Sequence, residues 1–223
     1  MSQLPLMPGV APEYDEELAQ WFTPPKLAAR IAYEYLTPIT PRFVLEPTAG
    51  GGALVADALS CGSSVIAVER DPRWAHRLRE RFLGRDAPSI VCDLRVVEAD
   101  YLSFDLSTID KGSPTVLMNP PDDRNNGIYV ADFLEKAMLD AGRSGEVVAL
   151  VRANCLLGGE RFQRVWRHAW IKNINYLTKR PRYSGASGGG EQEWCVIRYV
   201  LAPKRWNFPR RQAVVNWWTE AWN

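Results

Sequence analysis

Met118-Asn119-Pro120-Pro121-Asp122 follows the apolar run Pro114-Thr115-Val116-Leu117 and leads into a polar, glycine-containing loop. An asparagine and two prolines leaving a buried strand make a rigid ledge of acceptors. Proline has no N–H and a fixed φ, so the Asn119 amide and the Pro120 carbonyl point outward without competing donors. Such a ledge suits a substrate that donates hydrogen bonds, such as a planar amino group. Upstream, Val44-Leu45-Glu46-Pro47-Thr48-Ala49-Gly50-Gly51-Gly52-Ala53-Leu54-Val55 reads as a strand, a glycine turn and the start of a helix. The glycines let backbone pass close under a ligand and set helix N-terminal N–H groups beside it. Val55 stands where the dinucleotide fingerprint wants a third glycine, which favours an adenosine ligand smaller than NAD. Ser64-Val65-Ile66-Ala67-Val68-Glu69 and Val96-Val97-Glu98-Ala99-Asp100 are two further strands that end in acids. Glu69 is placed to accept both hydroxyl protons of a ribose. Each acid alone is more often a strand-end, capping or turn residue; three in succession beside a glycine turn point to a bound ligand.

The elements that hold these residues alternate. Strands are expected at Phe43 to Glu46, Val65 to Glu69, Val96 to Ala99, Thr115 to Met118 and Gly145 to Val151. Helices are expected at Lys26 to Leu36, up to Cys61, Asp71 to Leu83 and Ile128 to Ala141. Alternation of this kind gives a parallel sheet with helices on both faces, with ligands gathering at the strands' carboxyl ends. Thr23 is expected as an N-cap with Pro24 at the first helical position. Leu27, Ile31, Ala32 and Tyr35 then form an apolar face for the sheet. A helix from Gly159 to Trp170 precedes strands Ile174 to Leu177 and Trp194 to Leu201, which bracket the long loop Thr178 to Glu193. A loop of that length points to function rather than filler.

At 223 residues and 46% apolar content, one domain is expected. Its parts are an N-terminal arm (1–20), the main domain (21–202) and a basic, Trp-rich tail (203–223). A net charge of +1 excludes little. Cys61, Cys92, Cys155 and Cys195 show neither metal spacing nor a disulfide framework, which fits buried thiols in a reducing compartment, the cytoplasm. The sequence shows no export signal, no apolar run of membrane length and no metal site.

Phe22-Thr23-Pro24, Glu46-Pro47-Thr48-Ala49-Gly50-Gly51-Gly52, Glu69, Asp100 and Asn119-Pro120-Pro121-Asp122 together resemble the S-adenosylmethionine-dependent DNA adenine-N6 methyltransferases with unpermuted motif order. The small forms found in phages and prophages, some in restriction-modification settings, are the most similar. The resemblance runs from about Trp21 to about Leu201. It implies an α/β, Rossmann-like class I methyltransferase fold: a seven-stranded, mostly parallel sheet whose last strand is antiparallel beside the fifth. It also implies S-adenosylmethionine as cofactor and DNA as partner, with an oligomeric state that is either monomer or homodimer. The implied cofactor residues are Phe22, Thr23, Pro24, Glu46, Pro47, Ala49, Gly50, Gly52, Glu69, Arg70, Asp100, Tyr101 and Asn119. Asn119, Pro120, Pro121 and Asp122 form the implied catalytic motif.

One position departs from the resembled pattern. An aromatic follows the two prolines in that family, and this chain has Asp122, which cannot stack on a flipped base. Three readings follow: Tyr129 or another loop aromatic stacks on the base, the target is not a flipped adenine, or activity is lost. Cytosine N4, an RNA base and a protein glutamine are the alternative planar amines, and a silent cofactor- or DNA-binding protein is the non-enzyme alternative. Lys179, Arg180, Arg182 and Tyr183 are the candidates for substrate contact. The tail, with Trp217, Trp218 and Trp222, reads equally as nucleic-acid contact or as a helix burying its tryptophans.

Overall fold

The computed structural model describes residues 22–36, 42–85, 92–109, 112–121, 130–181, 193–202 and 212–222. Asp122, Tyr129, Arg182 and Tyr183 lie outside the described residues. Among the described residues, helices α1 (Pro25–Leu36), α2 (Ala53–Ser60), α3 (Pro72–Leu83), α4 (Val130–Ala141) and the short α5 (Gly159–Arg161) alternate with eight strands. The strands are β1 (Phe43–Glu46), β2 (Ser64–Glu69), β3 (Leu94–Glu98), β4 (Thr115–Met118), β5 (Glu146–Arg152), β6 (Ala169–Leu177), β7 (Trp194–Leu201) and β8 (Val214–Trp218).

These strands form a single sheet in the order β3-β2-β1-β4-β5-β7-β6-β8. β7 is antiparallel to both β5 and β6, and the other pairings are parallel. The expected mostly parallel sheet with an antiparallel strand beside the fifth is therefore present. The expected count of seven is corrected to eight, because β8 pairs in parallel with β6 from Asn173↔Val214 to Leu177↔Trp218.

Alternate residues on one strand feed opposite faces, as a two-residue strand period requires. Leu117 joins Leu27, Ile31, Leu54, Val55, Leu78 and Phe82 on the face of α1, α2 and α3. Its neighbours Val116 and Met118 join Phe133, Leu134 and Met138 on the face of α4. In α1 the apolar set Leu27, Ala28, Ile31, Ala32 and Tyr35 is buried, as its spacing predicts.

Three local expectations shift. α1 begins at Pro25, one residue before the expected Lys26 and one after the Pro24 expected at the first helical position. The helix expected from Gly159 to Trp170 is a short α-turn that passes into a π-turn over Phe162–Trp166. The strand after it begins at Ala169 rather than Ile174, with a bulge between Ile171 and Asn173. The described part of the tail is a strand rather than a helix, although it does bury Trp218 and Trp222, whose rings lie 5.9 Å apart.

Candidate active site

Parallel pairing of β1, β2, β3 and β4 brings their carboxyl ends, and so Glu46, Glu69, Asp100 and Asn119, to one rim of the sheet. Glu46 is 2% exposed, and its Oε1 accepts from the Thr48 backbone N (3.0 Å) and Oγ1 (3.2 Å). The same Thr48 hydroxyl lies 3.1 Å from the Asn119 carbonyl oxygen. Asn119 Nδ2 donates to Thr23 Oγ1 at 3.2 Å, which fixes the amide plane and thereby the direction of Oδ1. One chain of contacts thus joins the entry to α1, the end of β1 and the ledge after β4. Thr23 acts here as an acceptor for Asn119.

The glycine turn is held from two sides. Glu69 Oε2 accepts from Gly50 N (2.6 Å), and its Oε1 accepts from Asp71 N (2.8 Å). Each carboxylate oxygen has two lone pairs, so acceptor capacity remains. Arg81 of α3 donates to the Gly51 carbonyl at 2.8 Å. Gly52, at φ +76, requires glycine twice over: an added Cβ would sit 2.6 Å from Leu78 Cδ2 and 2.9 Å from Phe82 Cε2. Ala49 N donates to Val68 O, and the turn closes with Gly52 N on Ala49 O.

Phe22 packs on this turn. A Cβ at Gly50 or Gly51 would lie 3.2–3.3 Å from its ring, and that ring meets Trp74 with centroids 4.6 Å apart. Pro24, Pro47 and Pro120 are buried and Pro121 is half-buried. Asp100 accepts from Leu102 N and lies 3.8 Å from Arg70 Nε. Tyr101 turns away from the rim: its hydroxyl donates to Asp140 Oδ2 in α4 at 2.7 Å. Lys179 and Arg180 are exposed after β6, with Arg180 3.1 Å from Glu193.

Burial pushes the Glu46 carboxyl up to about 8, against the two hydrogen bonds from Thr48, with neighbouring Glu69 adding to the rise. Burial also raises Glu69, opposed by the N–H groups of Asp71 and Gly50. Asp57 beneath the turn is raised by burial to about 6, while Arg81 pulls it down. Two acids that are costly to ionise beside a glycine turn suit a ligand that carries hydroxyl donors and positive charge. S-adenosylmethionine has both, so these residues fit it. Among the described residues no group of three or more His, Cys, Asp or Glu could hold a metal ion, and no helix is long and apolar enough to cross a membrane.

Thr48, Trp74 and Arg81 are site residues that the motif reading missed. Thr48 was legible as a threonine two residues after a strand-end acid, the spacing of a local side-chain turn. Trp74 and Arg81 act through α3, which no motif marks.

No protein-family model matches the chain. It is 30% identical over 110 residues to the ribosomal RNA small subunit methyltransferase A of Acidobacterium capsulatum, covering 49% of this chain and 37% of that one. The chain spans less than two fifths of the length of the curated relatives it matches. Among solved structures it superposes on a putative RNA methyltransferase from Pyrococcus horikoshii with a TM-score of 0.66 and 20% identity, over 86% of this chain and 92% of the other. It superposes on the M protein of the type I restriction enzyme EcoKI with a TM-score of 0.60 and 15% identity, over 86% and 45% respectively. The chain has the Rossmann-like fold of the class I methyltransferases.

Proposed function

We propose that this chain is an S-adenosylmethionine-dependent methyltransferase acting on the exocyclic N6 amine of adenine in DNA. The observation that carries this reading is the Asn119-Pro120-Pro121 ledge at the end of β4, tied through Thr48 to the glycine turn and through Thr23 to α1. An adenine amine is a weak nucleophile, because its lone pair is shared with the ring. Asn119 Oδ1 and the Pro120 carbonyl would accept its two protons and favour a pyramidal nitrogen, and the rigid ledge supplies the positioning. S-adenosylmethionine, when bound, supplies a methyl group already activated on a sulfonium. Glu69 would hold its ribose hydroxyls and Asp100 its adenine amine, with Glu46 facing the methionyl ammonium. The segment Phe22-Thr23-Pro24 would cover the methionine end. The stacking surface for the target base would come from Tyr129 or another loop aromatic, since an aspartate at 122 cannot stack.

A second reading, an RNA base as target, is favoured by one observation: the curated relatives are named as ribosomal RNA methyltransferases. The same ledge serves either polymer. Asn119→Ala tests the core of both readings. Calorimetric affinity for S-adenosylmethionine should stay close to wild type while methyl transfer is abolished. Equal loss of both would remove Asn119 from the catalytic role.

A further inference from the structure

Beyond the ledge, the same rim continues along β5, β7, β6 and β8. There the structure opens a cleft of about 430 Å³, lined by Ala153, Asn154, Leu156, Leu157, Tyr176 and Glu193. Tyr176, one of these lining residues, is stacked on Trp217 across the β6–β8 pair, with ring centroids 4.9 Å apart and planes tilted by only 28°. Trp217 is 65% exposed, whereas Trp218, its neighbour on the opposite face, is buried. One flat indole face, backed by a second ring, is therefore presented to solvent at the edge of the cleft. Lys179 and Arg180 are exposed immediately beyond β6, and Arg152 stands over the Trp194 ring on the inner side.

We propose that this cleft, bounded by the Tyr176–Trp217 stack, binds an unpaired nucleobase of a nucleic-acid strand, with the neighbouring cations meeting its phosphates. An aromatic platform accepts any base through its π-face, and cations along the same edge supply the backbone attraction. The proposal rests on the nucleic-acid reading above and deepens it. Three strand spacings separate the ends of β4 and β6, roughly 14 Å, the length of about four stacked nucleotides. The base held here is thus one flanking the target, which gives a small domain a second hold on its strand. The stacking pair exists only because β8 adds to the sheet edge and brings Trp217 opposite Tyr176.

The test needs no turnover, so its failure is distinguishable from failure of the methyl-transfer reading. Short labelled single strands of one sequence, as DNA and as RNA, are titrated with the full chain and followed by fluorescence anisotropy. Trp217→Ala should weaken binding by about 5- to 150-fold, the range set by loss of one base–aromatic stack, and Trp217→Phe should restore most of it. The ratio of DNA to RNA affinity names which strand the platform serves. Photocrosslinking of the wild-type chain to bromouracil-bearing strands, mapped by mass spectrometry, should place adducts on the peptides that carry Tyr176 or Trp217. Unchanged affinity in Trp217→Ala, adducts confined to other peptides, or a cleft that binds a protein and no strand would each overturn the proposal.

Discussion

Replacing Glu46 with glutamine should change how stability depends on pH, and the structure sets both the sign and the size. Glu46 is buried at the end of β1, and burial raises its carboxyl from 4.5 to about 8. Between those two values the folded chain holds a proton that the unfolded chain has released, so stability falls as pH rises through this window. Each pH unit is worth about 1.4 kcal/mol, so ionisation of Glu46 withdraws about 4–5 kcal/mol by the alkaline end. Glutamine keeps a carbonyl acceptor for Thr48 and cannot ionise. Urea unfolding of both proteins from pH 4.5 to 8.5 gives the difference curve, and Glu46→Gln should gain on wild type steadily across it. Asp57 tilts both curves alike and cancels in the difference, whereas Glu69, coupled to Glu46, cancels only while Glu46 is protonated. Parallel curves would refute the reasoning, because they would mean that Glu46 titrates as an ordinary surface acid. The same logic predicts that saturating S-adenosylmethionine flattens the wild-type curve, if its ammonium meets Glu46.

Further outcomes follow from the glycine turn and its ties, with a glycine after α2 as the comparison. Gly52→Ala should cost about 2–5 kcal/mol in unfolding free energy, from a left-handed residue and forced repacking of Leu78 and Phe82. Gly62→Ala, at the similar φ of +78 but with open space around it, should cost only about 1–2 kcal/mol. Equal costs would mean that contact with α3 does not constrain the turn. Thr48→Val should lose about 1 kcal/mol of stability and lower methyl transfer more than cofactor affinity, as kinetics and calorimetry on one preparation would show. Glu69→Ala should weaken S-adenosylmethionine by about 1.5–3 kcal/mol in isothermal titration, and an unchanged affinity would take Glu69 out of the cofactor site.

The fold was legible wherever one element carries one signal. Strands β1, β2, β4 and β5 are short apolar runs ended by acids, Asn119 or a turn, and α1 keeps its apolar face in helical register. The bulge between Ile171 and Asn173 breaks the two-residue alternation of β6, so its first half could not be told from the preceding helix. β8 was hidden for a different reason. Val214-Val215-Asn216-Trp217-Trp218 is exposed over most of its length and follows a basic run, so only pairing with β6 makes it a strand. At the site, the residue types were readable but their partners were not. Nothing in the sequence says that Thr23 accepts from Asn119 across 96 positions, or that Tyr101 turns its hydroxyl to Asp140. Such contacts depend on how separate strands line up at the rim, which the local sequence does not encode.

The most direct measurement incubates the full chain and Asn119→Ala with labelled S-adenosylmethionine and unmethylated DNA. Ribosomal RNA and cell protein are run in parallel, and the hydrolysed products are identified by mass spectrometry. N6-methyladenine in DNA, formed by wild type and absent with Asn119→Ala, is the predicted result. Label only in RNA or protein would contradict the DNA assignment while keeping the chemistry, and no label in any polymer would contradict the methyltransferase reading itself.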